Sequence, residues 1–447
     1  MESTAIGKLV DGHTGLVSRS IFSDQQIFEE EAQRVFAKSW LFVGHESQIP
    51  NKGDYFVSQA GREPVVVVRD EDGQVQVLLN VCTHRGMPVC RYDRGNAKRF
   101  TCAYHAWTFA TNGDLVGVPL SKEGYGNRLV REQWGLIKAK VTRYYGSIWA
   151  TFDAAAAPFE ASLGDMALML RDFLQAPDGE DDGLEAIEGI FKFRIPSNWK
   201  FGAENYAGDL YHSVSHNSVQ RIGISESGKS GRHTWDADPS TFRILNVAYP
   251  AGGHAARVSL YDDEARGYQS QWAQSPEADE YFRAAHYARQ KRLGSRSRLL
   301  NRGGIVFPNM AYNAAGRSTI AIWVPLAPNL TEVWKWYFVP KNAPQAVKDV
   351  LRHYLLRYGG PPGMVEQDDI ENWASAQVGA ESVVARPLPM NYALRLGGGK
   401  WAWPEPWLGA GAYVDEDWSE HSQRVFYAHW AEMMGGERQF RAEEQPA

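Results

Sequence analysis

The sequence predicts an α+β chain of two domains: a small all-β domain over residues 40–155 and a larger one over 156–447 whose antiparallel sheet is covered by helices. Residues 1–39 are expected to pack on the larger domain. Three observations predict this. Between Asp54 and Ala155 the hydrophobic period is that of strands, with hairpin signals at Asp72-Gly73 and Asn112-Gly113. Beyond 156, strand runs are followed by stretches of helical period that end in clear stop signals. With 447 residues, 16 Trp, 20 Tyr and 19 Phe, the chain has the length for two or three domains and the material for a large core.

Each element has its own signal. Gly7, Gly12 and Gly15 mark 1–22 as an extended lead-in. Ser23 with Gln26 three residues on is a capping-box pattern, so a helix is expected there, with Phe28, Ala32, Val35, Phe36 and Trp40 on one face. In the β domain, strands at 64–69 and 75–79 flank the first hairpin signal, and 107–109 and 115–118 the second, each expected to be a two-residue turn. Residues 159–174 read as one helix, 177–183 as a Gly/Asp-rich loop and 188–195 as a strand. Pro276 behind Ser275 opens a helix that Gly294 closes. Stretches 305–307, 319–324 and 333–339 read as strands of one sheet. Residues 344–358 are helical, stopped by Gly359-Gly360 and Pro361-Pro362. Ser419 is the expected cap of a last helix reaching about Met434, beyond which the tail is expected to fray.

Composition narrows the function. The chain is 44% hydrophobic and 22% charged, as ordinary globular proteins are, and its net charge of -6 argues against nucleic acid. No apolar run approaches the ~20 residues that span a bilayer, and the start lacks a basic then apolar leader. Three cysteines leave no disulfide framework and fit a reducing cytoplasm. No Gly-x-Gly-x-x-Gly joins a strand to a helix, so no NADH or flavin site is expected in this chain.

Two stretches carry chemistry. Cys82-Thr83-His84 and Cys102-Ala103-Tyr104-His105 each offer one thiolate and one imidazole. The interleaved order suits a two-iron cluster, one iron taking both thiolates and the other both imidazoles. A structural zinc site with the same four ligands is the alternative. The second stretch is 205–216, read as one helix that places Asn205, Asp209, His212 and His216 in one stripe. Histidines at i and i+4 form a ready metal site, and Asp209 is placed to accept a hydrogen bond from the non-ligating nitrogen of His212. A facial triad needs one more anionic ligand. The acidic cluster Glu366, Asp368, Asp369, Glu371 can supply it, or can merely be a helix start favoured by the dipole.

Both loops resemble the cluster-binding loops of Rieske proteins, specifically of Rieske-type aromatic ring-hydroxylating oxygenases. The resemblance extends over Glu204-Asn205 to His216, Phe307-Pro308-Asn309 and Glu366 to Trp373. It departs from the family pattern in Ala103 and Ala106, where proline and glycine are usual. Another departure is the three residues between His212 and His216, where many members have four or five. The resemblance implies a Rieske [2Fe-2S] cluster on Cys82, His84, Cys102 and His105, and a mononuclear Fe(II) on His212, His216 and Asp369. It also implies that Asp209, with Asn205 in the catalytic set, joins His105 of one subunit to His212 of its neighbour in a ring of three. A ferredoxin and a flavin reductase would deliver electrons, and many members add a small β subunit.

The reaction so implied is cis-dihydroxylation of an arene by O2. Tyr206, Leu210, Val214, Phe307 and Met310 are expected around the iron, an apolar wall suited to a hydrocarbon. Gly359 and Val365 stand where naphthalene-type members carry bulkier aromatics, which implies a bicyclic or polycyclic arene. His254, His286 and His353 are expected to be structural or at the surface. The alternatives are a Rieske monooxygenase (a salicylate-type hydroxylase or a demethylase), a non-catalytic electron carrier, and a zinc-binding structural protein.

Overall fold

The computed structural model describes residues 6–126, 128–181, 183–216, 242–314, 318–360, 363–401, 406–416 and 418–439. Pro361-Pro362 and the tail from 440 lie outside them. The chain divides into two compact units, Phe36–Ala157, and Met1–Val35 together with Pro158–Ala447.

The smaller unit is built of three antiparallel sheets. Strands Val75–Leu79, Glu63–Arg69, Asp54–Ala60 and Arg94–Asn96 form the first, in that order. Leu115–Gly117, Thr108–Ala110 and Arg99–Thr101 form the second, and Lys140–Tyr144, Ser147–Thr151 and Leu41–His45 the third. Both expected hairpins are present, but neither turn has two residues. Gly73 N–H donates to Asp70 O (3.0 Å) and Asp70 N–H to Gln74 O (2.8 Å), which closes a three-residue loop. Gly113 to Ala110 and Ala110 to Asp114 repeat the pattern at 2.9 Å each. In each loop the glycine is left-handed (φ +82° and +91°), the position that such loops reserve for glycine.

In the larger unit, ten antiparallel strands among the described residues form one sheet. Its longest ladder joins Thr319–Ala327 to Leu330–Pro340, and Leu299–Val306, Met310–Asn313, His254–Tyr261 and Phe242–Tyr249 continue it. Helices Trp199–Tyr206 and His421–Met433 pack on it, and Met364–Glu381 follows Gln345–Gly359. Gly202 permits the close approach of the first of these helices. A Cβ there would sit 2.6 Å from the Trp323 ring.

Several boundaries differ from the sequence reading. The first helix, Gln25–Arg34, is capped by Asp24 rather than Ser23, and the Asp24 carboxylate accepts from Gln26 N and Ile27 N. An acidic cap also favours the positive end of the helix dipole. That helix ends before Phe36 and Trp40, which belong to the smaller unit. The lead-in is not wholly extended: Val10–Asp11 pairs with Leu16–Val17, and a 3-10 turn covers Arg19–Phe22. The 159–174 helix is broken into Phe159–Leu163 and Met166–Leu174 at Gly164, whose φ is +53°. Pro276–Leu293 starts and stops as expected. Ser419 Oγ accepts from His421 N–H at the start of the last helix, whose N-cap is Glu420.

Glu31 ties the N-terminal helix to the rest of the larger unit. Fully buried, it accepts from Lys200 Nζ (2.5 Å), Trp199 Nε1 (2.9 Å) and Trp430 Nε1 (2.8 Å). Glu31→Ala leaves the Lys200 ammonium buried without its partner and is expected to cost about 3–5 kcal/mol in denaturant unfolding. The double variant Glu31→Met, Lys200→Met should recover most of that loss. A single-variant loss below about 1 kcal/mol, as for an exposed pair, would contradict this account.

Candidate functional site

The two loops of the smaller unit share one backbone frame. In the first, Cys82 N–H donates to Met87 O and Gly86 N–H to Cys82 O, both at 2.8 Å. In the second, Cys102 N–H donates to Trp107 O (2.8 Å) and Ala106 N–H to Cys102 O (2.9 Å). The fourth residue after each cysteine is left-handed, Gly86 at φ +76° and Ala106 at +56°. A glycine suits that conformation, and alanine tolerates it at a cost of about 1–2 kcal/mol. Cys82 and Cys102 are buried in the core of this unit beside Phe100, Trp107 and Phe109. His84 stacks on Trp107 (4.8 Å between centroids) and meets His105 edge-on at 4.5 Å.

The donor set suits a metal cluster. Nδ1 of His84 is buried with no hydrogen-bond partner. Burial first, then the charges of His105 and Arg85, lower its pKa, which favours the neutral imidazole that ligates. Burial raises the Cys82 thiol, and the neighbouring Cys102 adds to it. A bound cation is what keeps two adjacent buried thiolates deprotonated. Cys90 stands apart. Its N–H and carbonyl are held by the Asn80 side chain, and its thiol faces Tyr92 O at 3.5 Å.

In the larger unit, 205–216 is not one helix. Trp199–Tyr206 ends at Ala207, Gly208 takes φ +132°, and Tyr211–His216 resumes as a 3-10 helix. Gly208 lies close to Asn246, where an added Cβ would sit 2.5 Å from Oδ1, so the break is tightly packed. The histidines still converge. Nε2 of His212 and Nε2 of His216 lie 3.2 Å apart, and Asp369 Oδ1 is 3.4 and 3.3 Å from them. Ligand atoms of these three residues all fall within 4.8 Å of one another. Asp369 comes from Met364–Glu381, and its Oδ1 is buried with no hydrogen-bond partner. Burial opposes a charged His216, but the Asp369 and Asp368 carboxylates outweigh it and raise the pKa. Such a pocket suits a divalent cation.

The surroundings depart from expectation. Asp209 does not hydrogen-bond the His212 ring, because Oδ2 stands 3.6 Å from Nδ1. It caps the segment instead, Oδ1 accepting from His212 N–H at 3.1 Å. The missed ring partner is Asp368, whose Oδ2 lies 3.1 Å from His216 Nδ1. Glu366 is no mere dipole carboxylate either. It is buried against Lys335 Nζ at 2.6 Å, three residues before Asp369. The acidic run along 366–371 hinted at neither partner, since both come from distant segments.

Glu204 was also missed as a separate feature. Tyr392 donates to its Oε2 at 2.8 Å, and Tyr427 donates to the same atom. Burial lifts its pKa from 4.5 to about 8; the two phenols lower it, while Asp209 and Glu420 add to the rise. The folded chain thus keeps a proton that the unfolded chain has released. This contribution to stability is complete below about pH 4.5 and is lost as pH climbs to about 8. Glu204→Gln should therefore flatten the stability profile across this window. It should leave the variant roughly 2–4 kcal/mol ahead of the parent at pH 8. Urea unfolding at a series of pH values checks this, and parallel profiles would refute it.

The expected substrate wall is only partly assembled. Tyr206 packs 5.9 Å from Trp323, its hydroxyl 3.4 Å from Asn313 Nδ2, and Leu210 is buried. Asn205 O accepts from Asp209 N–H at 3.2 Å. Gly359 O accepts from Tyr337 Oη, and a Cβ on Gly359 would meet nothing nearer than Lys335 Nζ at 3.8 Å. Val365, half-buried, precedes Glu366. Three assignments need correction. Met310 pairs with Ile322, next to Trp323, whose ring faces Gly202 and Trp373. Alternation along the strand therefore sends Met310 to the opposite face. Phe307 packs on Phe426 and His429 of the last helix, as a core residue. Val214 is 55% exposed. His254 is structural, its Nδ1 accepting from Phe307 N–H and its Nε2 donating to Ser162 O, and burial drops its pKa to about 4.

Comparison with known proteins accounts for both centres. Residues 39–138 match the Rieske [2Fe-2S] domain, and 182–436 match the catalytic domain of the ring hydroxylating alpha subunit. The alpha subunit of biphenyl 2,3-dioxygenase from Rhodococcus jostii (strain RHA1) is 36% identical, over 96% of this chain and 91% of that one. The alpha subunit of benzene 1,2-dioxygenase from Pseudomonas putida is 35% identical, over 97% and 94%. Among solved structures, naphthalene 1,2-dioxygenase from Rhodococcus sp. bound to indole is 30% identical, covers 94% of each chain and has a TM-score of 0.80. A quaternary ammonium Rieske monooxygenase shares the fold at 18% identity and a TM-score of 0.67. No described helix is long and apolar enough to cross a membrane. With a matched catalytic domain beside the matched cluster domain, neither a zinc knuckle nor a bare electron carrier describes this protein. The chain belongs to the alpha subunits of Rieske-type aromatic ring-hydroxylating dioxygenases, oxidoreductases that carry a [2Fe-2S] cluster and a mononuclear iron.

Proposed function

We propose that this chain is a terminal-oxygenase alpha subunit that cis-dihydroxylates an aromatic hydrocarbon of two or more rings. The reading rests above all on the convergence of His212, His216 and Asp369, whose ligand atoms lie within 4.8 Å of one another. In this assignment they hold the iron, and Cys82, His84, Cys102 and His105 hold the cluster. Together the two groups supply the electrons and the oxygen-binding position that reductive activation of dioxygen needs.

The chain's own residues do the rest. Asp368 orients the His216 ring through Nδ1, and the Lys335–Glu366 pair anchors the helix that presents Asp369. Asp209 is capped onto His212 yet 33% exposed, which leaves its carboxylate open to His105 of a neighbouring copy. With Asn205 beside it, Asp209 is assigned the electron handover in a trimer. Tyr206, Leu210, Gly359 and Val365 form the substrate wall, and the missing side chain at Gly359, where a Cβ would make only ordinary contacts with Lys335 and Tyr337, favours larger arenes. The names of the relatives span benzene, biphenyl and naphthalene dioxygenases, so they support an aromatic hydrocarbon, and the size class rests on Gly359 and Val365. A ferredoxin and a flavin reductase drawing on NAD(P)H are the proposed donors, and a small β subunit the proposed further partner.

Turnover of benzene, biphenyl, naphthalene and phenanthrene under isotopically labelled dioxygen tests this. Cis-dihydrodiols carrying both labelled atoms, formed faster from the larger arenes, are expected, and Gly359→Phe should shift the preference toward benzene. Products with one labelled atom would make the chain a monooxygenase, and no oxygenated product would end the proposal.

A further inference from the structure

The larger unit holds a cavity of about 280 Å³ between the Met166–Leu174 helix, residues 261–272 and the Pro276–Leu293 helix. None of Tyr206, His212, His216 and Asp369 lines it. Its described walls carry three bases, Arg266, His286 and Arg289, against one acid, Asp172. Asp172 is already shared: Oδ1 takes Arg289 at 2.6 Å and lies 3.8 Å from Arg296. Arg289 keeps Nε–H buried with no hydrogen-bond partner. Among the described residues Arg266 has no carboxylate in ion-pair reach. Its guanidinium lies 3.9 Å over the Tyr261 ring and gives one hydrogen bond, to Ser297 O. Burial first, and the charge of Arg289 among its neighbours, hold the Arg266 pKa down, so the two cations feel each other.

Two partly buried guanidiniums with spare donors are costly unless an anion joins them. The wall also carries aromatic rings among polar residues such as Gln269 and Asn301, with Trp272 stacked on Phe282 at 5.2 Å and Phe173 and Tyr268 nearby. Planar N–H forks match a carboxylate, and ring faces match an arene. We propose that this cavity is a second small-molecule site that binds a small aromatic carboxylate, apart from the iron centre.

Benzoate is the probe, titrated into the metal-loaded protein by calorimetry with tryptophan fluorescence as a second readout. Saturable binding is expected, weakened about tenfold or more in Arg266→Gln. Arg266→Lys, which keeps the charge but loses the fork, should fall between the two. Asp369→Ala should bind benzoate as the parent does. Arg289→Gln, checked for folding by its thermal transition, should weaken binding as Arg266→Gln does. Absence of saturable binding at millimolar benzoate would overturn the proposal, as would binding indifferent to Arg266→Gln. Loss of binding in Asp369→Ala would place the ligand at the iron instead. Displacement by inorganic phosphate at equal affinity would show that the ring is not recognised.

Discussion

Asp369→Ala is expected to abolish turnover and to lower the iron content from three atoms per chain to two, while the visible spectrum of the cluster stays as it was. Asp369 is the anionic member of the set, and its Oδ1 lies 3.3–3.4 Å from both histidine Nε2 atoms. Without it two imidazoles alone face the cation, and a site of two neutral donors holds a divalent iron far less firmly. The cluster ligands belong to the other compact unit, which the substitution leaves untouched. Asp368 is the control. Among the described residues its polar contact is with the far nitrogen of His216, so Asp368→Ala should keep the iron and lose about 10- to 100-fold in activity. Three irons and normal turnover in Asp369→Ala, with iron lost from Asp368→Ala, would exchange the two roles.

Asp209→Asn should retain both metal groups yet lose roughly 100-fold or more in turnover. Asparagine keeps an oxygen to cap His212 N–H, so the 3-10 segment and the ligand geometry should survive. What disappears is the charge proposed to link His105 of one copy to His212 of the next. The informative readout is the cluster itself. Reduced chemically and mixed with arene and dioxygen, the parent should reoxidise within a turnover and the variant should stay reduced. Prompt reoxidation with normal product would remove Asp209 from the electron path. Retention of the reduced cluster in Asp209→Asn but not in Glu204→Gln would separate the handover from the neighbouring buried acid.

Much of the site was legible because its determinants are local. Cys82 with His84, Cys102 with His105, and His212 with His216 each lie within four residues of one another, and spacing alone brings such pairs together. The strand period of the cluster domain and the Pro276 and Gly294 signals are equally local, and the structure shows both. Asp369 was reached by resemblance rather than spacing. Its position beside two histidines over 150 residues earlier depends on the Lys335–Glu366 pair and on the sheet that carries Lys335.

By itself, then, the sequence determined the class of fold and the family, and it offered the residues proposed to hold two metal groups. The tertiary structure alone decided which acids serve which histidines. It also decided that 205–216 breaks at Gly208, that Met310 faces away from the Trp199–Tyr206 and Met364–Glu381 helices, and that Glu204 is enclosed by Tyr392 and Tyr427. The physical reason is range. Hydrogen bonding and side-chain period act over a few residues and can be read along the chain. Burial, and the pairing of charges it compels, depend on which distant segments pack together.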